Sequence, residues 1–367
     1  MNQLSLLTVI ISFLVCTNCW SQKTDFELVK KGVDHIYNFD FKRSDAIIAR
    51  LESINSKSPT PDLMKALQIY WKYYPVQNHE DQLEAYHDYL ERSYLKSIEI
   101  MERQQNNWEA LFLAMASQGL LAESYSESGR SFKAVGAAKK AYRFVKQGIE
   151  KLNQFDEFYV STGLYNYYRE YYPDAYPIYK PFMSFFMKGD RKLGIRQLEI
   201  AEKKASIAHV IARYYLSYIY LRYEYIPVKA LEQGKALHYE YPGNHLFTAI
   251  YCESLIINQK YKQATHLSRK LQKNPNPFYK VYGELFMGII QENEHQDYKN
   301  AERLYRSTLD FVDTYDMNQP HLEALAYLGL GRIYQHKNDP KARGFFRESL
   351  DKAYTKSLKS EAKRYLN

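Results

Sequence analysis

The sequence predicts an all-α protein built from stacked antiparallel helix pairs. Over most of the chain, apolar residues recur at spacings of three and four with polar residues between them, which is the helical period. Glycine (15) and proline (12) are scarce among 367 residues, which argues against a β-rich fold with many tight turns. With 46% hydrophobic residues, the chain is too apolar to be disordered. Its length exceeds one ordinary compact core, so two domains or an elongated repeat array are expected.

The first 21 residues are expected to be a signal peptide. They contain no Lys, Arg, Asp or Glu. The apolar run from Leu4 to Val15 is too short to span a bilayer but fits a signal-peptide core, although no basic residue precedes it. Cys19 and Ser21 are small residues placed for cleavage before Gln22. We therefore expect an exported protein.

The rest of the chain contains no predicted transmembrane segment. After Ser21 no apolar stretch approaches the ~18 residues that a spanning helix needs. Cys16 and Cys19 would leave with the signal peptide, and neither follows the small residue that lipidation requires. Cys252 would then remain alone, so no internal disulfide is expected. Its apolar surroundings indicate a buried position rather than a reactive thiol.

Residues 22–155 are predicted to form an N-terminal helical region with degenerate repeats. Pro61 follows the break at 58–62 and is well placed in the first turn of a helix. Ala46 and Ala134 are weak signs of the repeat found downstream. The expected helices are 25–38, 44–54, 63–73, 81–104, 108–124 and 132–152.

Small residues recur regularly in the second half of the chain. They lie at Gly194, Ala230, Ala264, Ala301 and Ala342, at intervals of 36, 34, 37 and 41 residues. In three of the five copies a large residue follows four positions later. Two helices cross closely only where a side chain is small, and an adjacent large side chain fills the space between neighbouring pairs. The intervals therefore indicate a repeated helix pair.

The last copy carries the clearest motif. Its first helix has Tyr327, Leu330, Gly331 and Tyr334, and its second has Ala342, Phe346 and Leu350. This pattern resembles the tetratricopeptide repeat, whose period is 34 residues. The resemblance covers about 170 residues well, and residues 206–367 are assigned to such repeats. It implies a TPR-like α-solenoid with a right-handed superhelix and a concave face that binds proteins.

Residues 156–205 are predicted to be an aromatic, proline-rich junction followed by the first regular repeat. One helical face carries Phe158, Thr162, Tyr165, Tyr168 and Tyr172, and another carries Tyr159, Gly163, Tyr167 and Tyr171. A helix that is apolar on two sides is usually buried between neighbours. Pro173, Pro177 and Pro181 are expected to preclude a continuous helix over that interval.

Part of this stretch is similar to a section of the tetratricopeptide-39 and inclusion-body-clearance proteins. The similar part has, in order, Gly-Leu-Tyr-Asn, prolines, an apolar segment and Gly-Ile-Arg-Gln-Leu. That similarity covers about 45 residues and includes no catalytic motif. In overall layout the chain also resembles exported tetratricopeptide proteins of Gram-negative bacteria, which implies a periplasmic or outer-membrane-associated location in such a bacterium. Both resemblances support the helical fold and leave the specific role open.

Two sets of residues are candidates for partner binding. Tyr165, Tyr168, Tyr172, Tyr176 and Tyr179 would line a groove for a peptide or glycan, because tyrosine combines contact area with a hydroxyl. The alternative is that these rings pack the junction, and packing is the favoured interpretation. Arg213, Tyr220, Arg222 and Tyr223 would present contacts on the concave face of the regular repeats.

No motif in the sequence predicts an enzyme, a cofactor or a metal centre. A nucleophile elbow and the phosphate-binding glycine motifs are absent, and Gly329 and Gly331 lie inside a predicted helix. Two Glu-x-x-His spacings, Glu84/His87 and Glu292/His295, do not suffice for a di-metal site. His238 and His245 are expected at the surface. The carboxylate pairs Asp156/Glu157 and Glu292/Glu294 are expected to be solvated.

The formal net charge of +8 is spread along the chain. A mild basic cluster lies at Lys352, Lys356, Lys359, Lys363 and Arg364. Nucleic acid is not expected as a partner of an exported chain. The basic cluster is interpreted as a solvated end-cap on the last helix, in preference to a contact with an anionic envelope surface. The sequence thus predicts a non-enzymatic scaffold that binds a protein or peptide. A carbohydrate-binding or hydrolytic helical protein of the envelope is the alternative.

Overall fold

The computed structural model describes residues 25–175 and 177–366, and within these residues no strand occurs. The chain divides into two compact units, the first ending at His209 and the second beginning at Val210. The predicted all-α, TPR-like class is confirmed, because consecutive helices pack as pairs in each unit. The expected signal peptide and its cleavage site lie outside the described residues.

Unit 1 contains eight helices in the described residues. They are α1 (25–37), α2 (Phe41–Ile54), α3 (Thr60–Lys72), α4 (Glu80–Arg103), α5 (Trp108–Glu127), α6 (Ser131–Glu150), α7 (Phe158–Ala175) and α8 (Arg191–Lys204). Short 3-10 helices lie at Val76–Asn78 and Pro177–Phe185. The expected helices of residues 25–152 are confirmed, and Pro61 lies in the first turn of α3. Helix α2 begins earlier than expected, at Phe41, because the Asp40 carboxylate accepts a hydrogen bond from the Arg43 N–H.

Unit 2 continues the same arrangement. Helix α9 (His209–Tyr218) begins at the unit boundary and runs into a π-helical turn, Ile219–Tyr223. The helices that follow are α10 (Pro227–Glu240), α11 (His245–Ile257), α12 (Tyr261–Gln272), α13 (Pro277–Asn293), α14 (Tyr298–Thr314), α15 (Pro320–His336), α16 (Ala342–Lys352) and α17 (Lys356–Leu366). Besides its pairing with sequence neighbours, α11 packs on α13, α13 on α15, and α15 on α17. Helices α11, α13, α15 and α17 therefore form one layer of this unit.

The recurring small residues lie in the even-numbered helices, as the repeat predicts. Gly194 is buried, and Ala230, Ala264 and Ala301 have no exposed surface. Ala342 is 8% exposed. A β-carbon added at Gly194 would lie 2.6 Å from the Tyr167 backbone nitrogen, so α7 and α8 touch backbone to backbone there. The expectation that these positions are helix crossings is confirmed.

Aromatic rings fill the space beside the glycines of the last repeat. Gly331 faces the ring of Phe346, and Gly329 faces the ring of Tyr305, so closely that neither position has room for a β-carbon. Both glycines lie inside α15, as expected. Their role is to admit a ring between helices, which is a packing role.

The structure also shows the surroundings of the three prolines and of Cys252. The expectation that Pro173, Pro177 and Pro181 preclude a continuous helix is confirmed, because α7 includes Pro173 but ends at Ala175, and the interval from Pro177 to Phe185 is 3-10 helical. Cys252 has no exposed surface, as expected, and burial raises the pKa of its thiol to about 12. No helix in the described part of the chain has the length and apolarity that crossing a membrane would require.

Replacing Gly194 with alanine tests the backbone crossing. We expect Gly194→Ala to lower the free energy of unfolding by about 1–3 kcal/mol, because the added carbon would overlap the backbone of α7. Gly136→Ala is the matched control, since a β-carbon there meets nothing within 4 Å. The control should gain roughly 0.5 kcal/mol from the better helix former. Chemical denaturation of both variants measures the difference, and equal effects would contradict the crossing.

Candidate functional site

The 3-10 helix Pro177–Phe185, called the 3-10 segment below, and the residues after it are bound to α6 and α7 by hydrogen bonds to side chains. The Tyr165 hydroxyl donates to the Met187 carbonyl at 2.5 Å, and the Met187 N–H donates to the Tyr142 hydroxyl at 2.9 Å. The Arg169 guanidinium donates to the Met183 carbonyl at 3.1 Å. These bonds hold an irregular stretch of backbone in one position against the helices.

The candidate tyrosines of the junction lie in two aromatic groups. Tyr165 stacks on Tyr142 with ring centroids 5.2 Å apart. Tyr168 contacts Tyr172 at 5.3 Å, and Tyr172 contacts Tyr179 at 5.9 Å. All four candidates are half-buried, and burial is the main reason for the raised pKa of the Tyr165 hydroxyl. Each ring therefore both packs and remains accessible, while Tyr176 lies outside the described residues.

The first turns of α7 are buried and its later turns are not. Phe158, Thr162 and Tyr167 have no exposed surface, whereas Tyr171 is half-buried like the candidates. Burial between neighbours, predicted for the whole helix, is thus confirmed for its first half only. Helix α8 covers that half at Gly163.

A group of exposed apolar side chains lies beside the tyrosines and was not named as a site from the sequence. Phe132 is 83% exposed, Ile178 61%, Met187 54% and Phe185 52%. The sequence contained an indication of this group, because the segment from Pro177 to Met187 has more large apolar residues than a single short 3-10 helix can bury. We call these four residues the apolar surface.

Glu157 is buried, which corrects the expectation of a solvated Asp156/Glu157 pair. Its carboxylate accepts hydrogen bonds from the N–H groups of three consecutive residues, Ser206, Ile207 and Ala208, at 2.7, 3.1 and 2.8 Å. Asp156 is exposed, as expected. Successive backbone N–H groups form a concave anion site, and here the protein's own glutamate occupies it. Glu157 therefore joins the start of α7 to the chain that follows α8.

The four unit-2 candidates do not form one accessible set. Tyr220 is 1% exposed and Arg222 is 7% exposed, so the prediction that they present contacts to a partner is wrong. Arg213 and Tyr223 are half-buried, and the Arg213 guanidinium forms an ion pair with Glu240. A role for Arg213 and Tyr223 in partner binding stays a prediction.

Arg222 belongs to a buried ionic cluster that links several helices of unit 2. Its guanidinium donates to the Glu253 carboxylate at 2.8 Å and to the Tyr354 hydroxyl at 3.2 Å. His321 Nε2 lies 2.8 Å from the other oxygen of Glu253. The π-helical turn places Arg222 in this cluster, with Glu253 on α11 and His321 on α15.

The charges of this cluster set its protonation. Burial would raise the pKa of Glu253, but the contacts with Arg222 and His321 outweigh burial and lower it to about 2. Burial and the nearby Arg222 charge lower the pKa of His321 despite its contact with Glu253. At neutral pH the cluster therefore consists of an arginine cation, a glutamate anion and a neutral histidine that donates its Nε2–H.

Glu292 is also buried, which corrects its expected placement in a polar turn. It lies near the end of α13 and accepts two hydrogen bonds from Arg332, at 2.6 and 2.8 Å, and one from the Tyr305 hydroxyl at 2.5 Å. Contacts with Glu292 raise the pKa of Arg332 against the effect of burial. Glu294 and His295 are exposed, as a turn position implies.

His87, His238 and His245 are partly enclosed by the protein. His87 is half-buried with a ring nitrogen 2.8 Å from the Ser124 hydroxyl, and burial lowers its pKa to about 4. His238 and His245 are half-buried rather than fully at the surface, and burial lowers the pKa of both. In residues 25–175 and 177–366, no group of three or more potential ligands could hold a metal ion.

Comparisons with known proteins give a distant structural likeness. No protein-family model matches the chain, and no curated protein sequence matches it. Fourteen chains of solved structures do match. One is the crystal structure of the yeast Tom70, which is 11% identical with a TM-score of 0.41; the match covers 84% of this chain. The chain spans 63% of the Tom70 chain, less than two thirds of its length.

Neutralising Glu157 tests its contact with the three N–H groups. We expect Glu157→Gln to reduce the free energy of unfolding by about 2 kcal/mol, because hydrogen bonds to a charged group are lost and a buried N–H is left without a partner. Asp156→Asn removes the neighbouring exposed carboxylate and should change stability by less than about 0.5 kcal/mol. Urea denaturation compares the two, and equal losses would contradict the assigned role.

The buried histidine predicts a dependence of stability on pH. Because the folded pKa of His321 lies below its ordinary value of 6.5, the unfolded chain binds more protons as the pH falls below 6.5. The stability contributed by neutral His321 is therefore complete above pH 6.5 and declines as the pH is lowered. His321→Gln should lose this component, whereas the exposed control His295→Gln should retain it. The comparison uses melting temperatures measured from pH 7.5 to 5. This range extends about one pH unit or more on each side of the ordinary histidine pKa.

Proposed function

We propose that this protein is a non-enzymatic interaction scaffold of the cell envelope, which binds a protein or peptide through the tyrosines of the junction. The observation that carries the proposal is that Tyr165, Tyr168, Tyr172 and Tyr179 are all half-exposed beside a segment fixed by hydrogen bonds. Tyrosine presents a large rigid surface and a hydroxyl at low entropic cost. A surface already ordered before binding loses less entropy when a partner arrives.

The helix-pair frame supports this role. Buried small residues, Gly194 and the alanines that follow it, hold the helix pairs together. Side chains on the outer faces are not needed for this packing and can therefore contact a partner. Binding in a concave groove is part of the proposal, with Arg213 and Tyr223 as its remaining candidates in unit 2.

The alternative, a carbohydrate-binding or hydrolytic helical protein, would require converging carboxylates in a pocket. Among the described residues, the buried carboxylates are Asp62, Glu157, Glu253 and Glu292. Asp62 forms ion pairs with Arg92 and Lys96, and the other three are bound by the donors described above. These carboxylates lie in separate clusters, which favours the scaffold over an acid–base enzyme.

The envelope location and the anionic contact are further parts of the proposal. The location is supported by the signal-like first 21 residues of the sequence. At the other end of the chain, Lys356, Lys359, Lys363 and Arg364 are exposed on α17, while Lys352 is paired with Glu323 at 2.5 Å. Four exposed cations on one terminal helix would favour a peripheral contact with an anionic surface.

Recovery of a partner from envelope extracts tests the proposal. The mature chain is crosslinked in its native envelope, purified and analysed by quantitative mass spectrometry. The double variant Tyr168→Ala/Tyr172→Ala should reduce recovery of a specific partner by about tenfold, the loss expected when interface aromatic anchors are truncated. Tyr239→Ala, which removes a 67% exposed tyrosine from unit 2, should leave recovery unchanged.

Folding must be checked alongside recovery, because the tyrosines also pack. Tyr168→Phe/Tyr172→Phe keeps the rings and should retain the melting temperature of the unmodified chain. Full recovery with the alanine variant, at an unchanged melting temperature, would show that the partner binds elsewhere.

A further inference from the structure

The apolar surface lies along one face of α6 and the 3-10 segment. The Phe132 ring meets the Phe182 ring edge-on with centroids 6.0 Å apart. Further along the helix, Lys139 Nζ lies 3.1 Å from the centroid of the Phe185 ring. The segment therefore runs beside α6 from its first turn to Tyr142, which bonds to Met187.

The apolar side chains project outward instead of lining a recess. Each of the four is more than half exposed, and Phe132 is almost fully so. Residues that line a groove for a bound peptide are usually largely buried within its walls. Projecting side chains fit a ligand that surrounds them, as the interfacial region of a lipid bilayer does.

Cations accompany these side chains along the same face. Phe132, Lys139, Arg143 and Lys146 follow one another at spacings of seven, four and three residues, which places them on one face of α6. The adjoining residues 177–189 include Lys180 and Lys188 and no acidic residue. Arg143, Lys146, Lys180 and Lys188 are exposed, and Lys139 is half-buried against Phe185. The surface is thus complementary in charge to an anionic ligand.

We propose that the apolar surface, with the cations beside it, docks the protein onto an anionic lipid bilayer. Phe132, Ile178, Phe185 and Met187 would enter the boundary between headgroups and acyl chains. The lysines and Arg143 would lie at the level of the lipid phosphates, with their aliphatic stems against the apolar region. Docking requires no transmembrane helix, and it is reversible because only a few side chains enter the membrane.

This proposal goes beyond the protein scaffold and does not depend on it. It concerns the four residues of the apolar surface and the cations beside them, whereas partner binding was assigned to Tyr165, Tyr168, Tyr172 and Tyr179. The two can therefore fail separately. Variants of the apolar surface leave Tyr168 and Tyr172 in place, and variants of those tyrosines leave the apolar surface in place.

Vesicle flotation tests the docking with the full mature chain. Vesicles of phosphatidylcholine mixed with phosphatidylglycerol are compared with vesicles of phosphatidylcholine alone. We expect binding to the anionic vesicles, weaker binding to the neutral ones, and further weakening as salt is raised. Equal binding to both kinds of vesicle, or binding to neither, would overturn the proposal.

Two double variants separate the apolar and the charged contributions. Ile178→Ser/Phe185→Ser should weaken binding to anionic vesicles by about tenfold or more, and Lys180→Gln/Lys188→Gln by about tenfold. Val228→Ser/Tyr239→Ser is the control, because these side chains are 73% and 67% exposed in unit 2. All four substituted positions of the test variants are exposed, so their melting temperatures should match the control.

Other occupants of the surface would give different results. If Ile178→Ser/Phe185→Ser abolishes a dimer seen by light scattering and leaves vesicle binding intact, the surface contacts a second copy of the chain and the proposal is wrong. If the same variant loses only a crosslinked protein partner, the surface binds that protein and lipid docking is likewise overturned.

Discussion

The close approach of paired helices is the constraint on which the rest of the structure depends. At Gly194 the backbone of α8 touches that of α7, and Ala230, Ala264 and Ala301 at the corresponding positions have no exposed surface. A larger side chain at a crossing would force the pair apart and move the rings that pack beside it. Since every helix after α7 is positioned by the preceding one within its unit, small errors at these points would propagate along the array.

Buried glutamates also determine which parts of the chain pack together. Glu157 binds three backbone N–H groups, Glu253 joins Arg222 to His321, and Glu292 joins Arg332 to Tyr305. Removing one partner from such a cluster strands a charge away from water, which generally costs about 3–5 kcal/mol. These contacts fix which helices meet.

Helix positions were predictable from the sequence because they depend on local periodicity, and the crossings were predictable because small residues repeat at a near-constant interval. The surroundings of individual charges were not. Glu157 meets Ser206, and Glu292 meets Arg332, about 50 and 40 positions apart in the sequence. Nothing near either glutamate reveals such a partner. The exposure of Phe132 and Phe185 was missed for a different reason, since an apolar residue in a helical pattern is ordinarily assigned to the core.

The structure thus combines helices held by buried contacts with an exposed surface of aromatic, apolar and basic residues in unit 1, and we propose that the protein acts through that surface. Hydrogen–deuterium exchange of the full chain, with and without anionic vesicles, tests it most directly. We expect vesicles to slow exchange in residues 177–189 and in the first half of α6, and to leave exchange in α10–α16 unchanged. Slower exchange confined to unit 2, with none in residues 177–189, would contradict it.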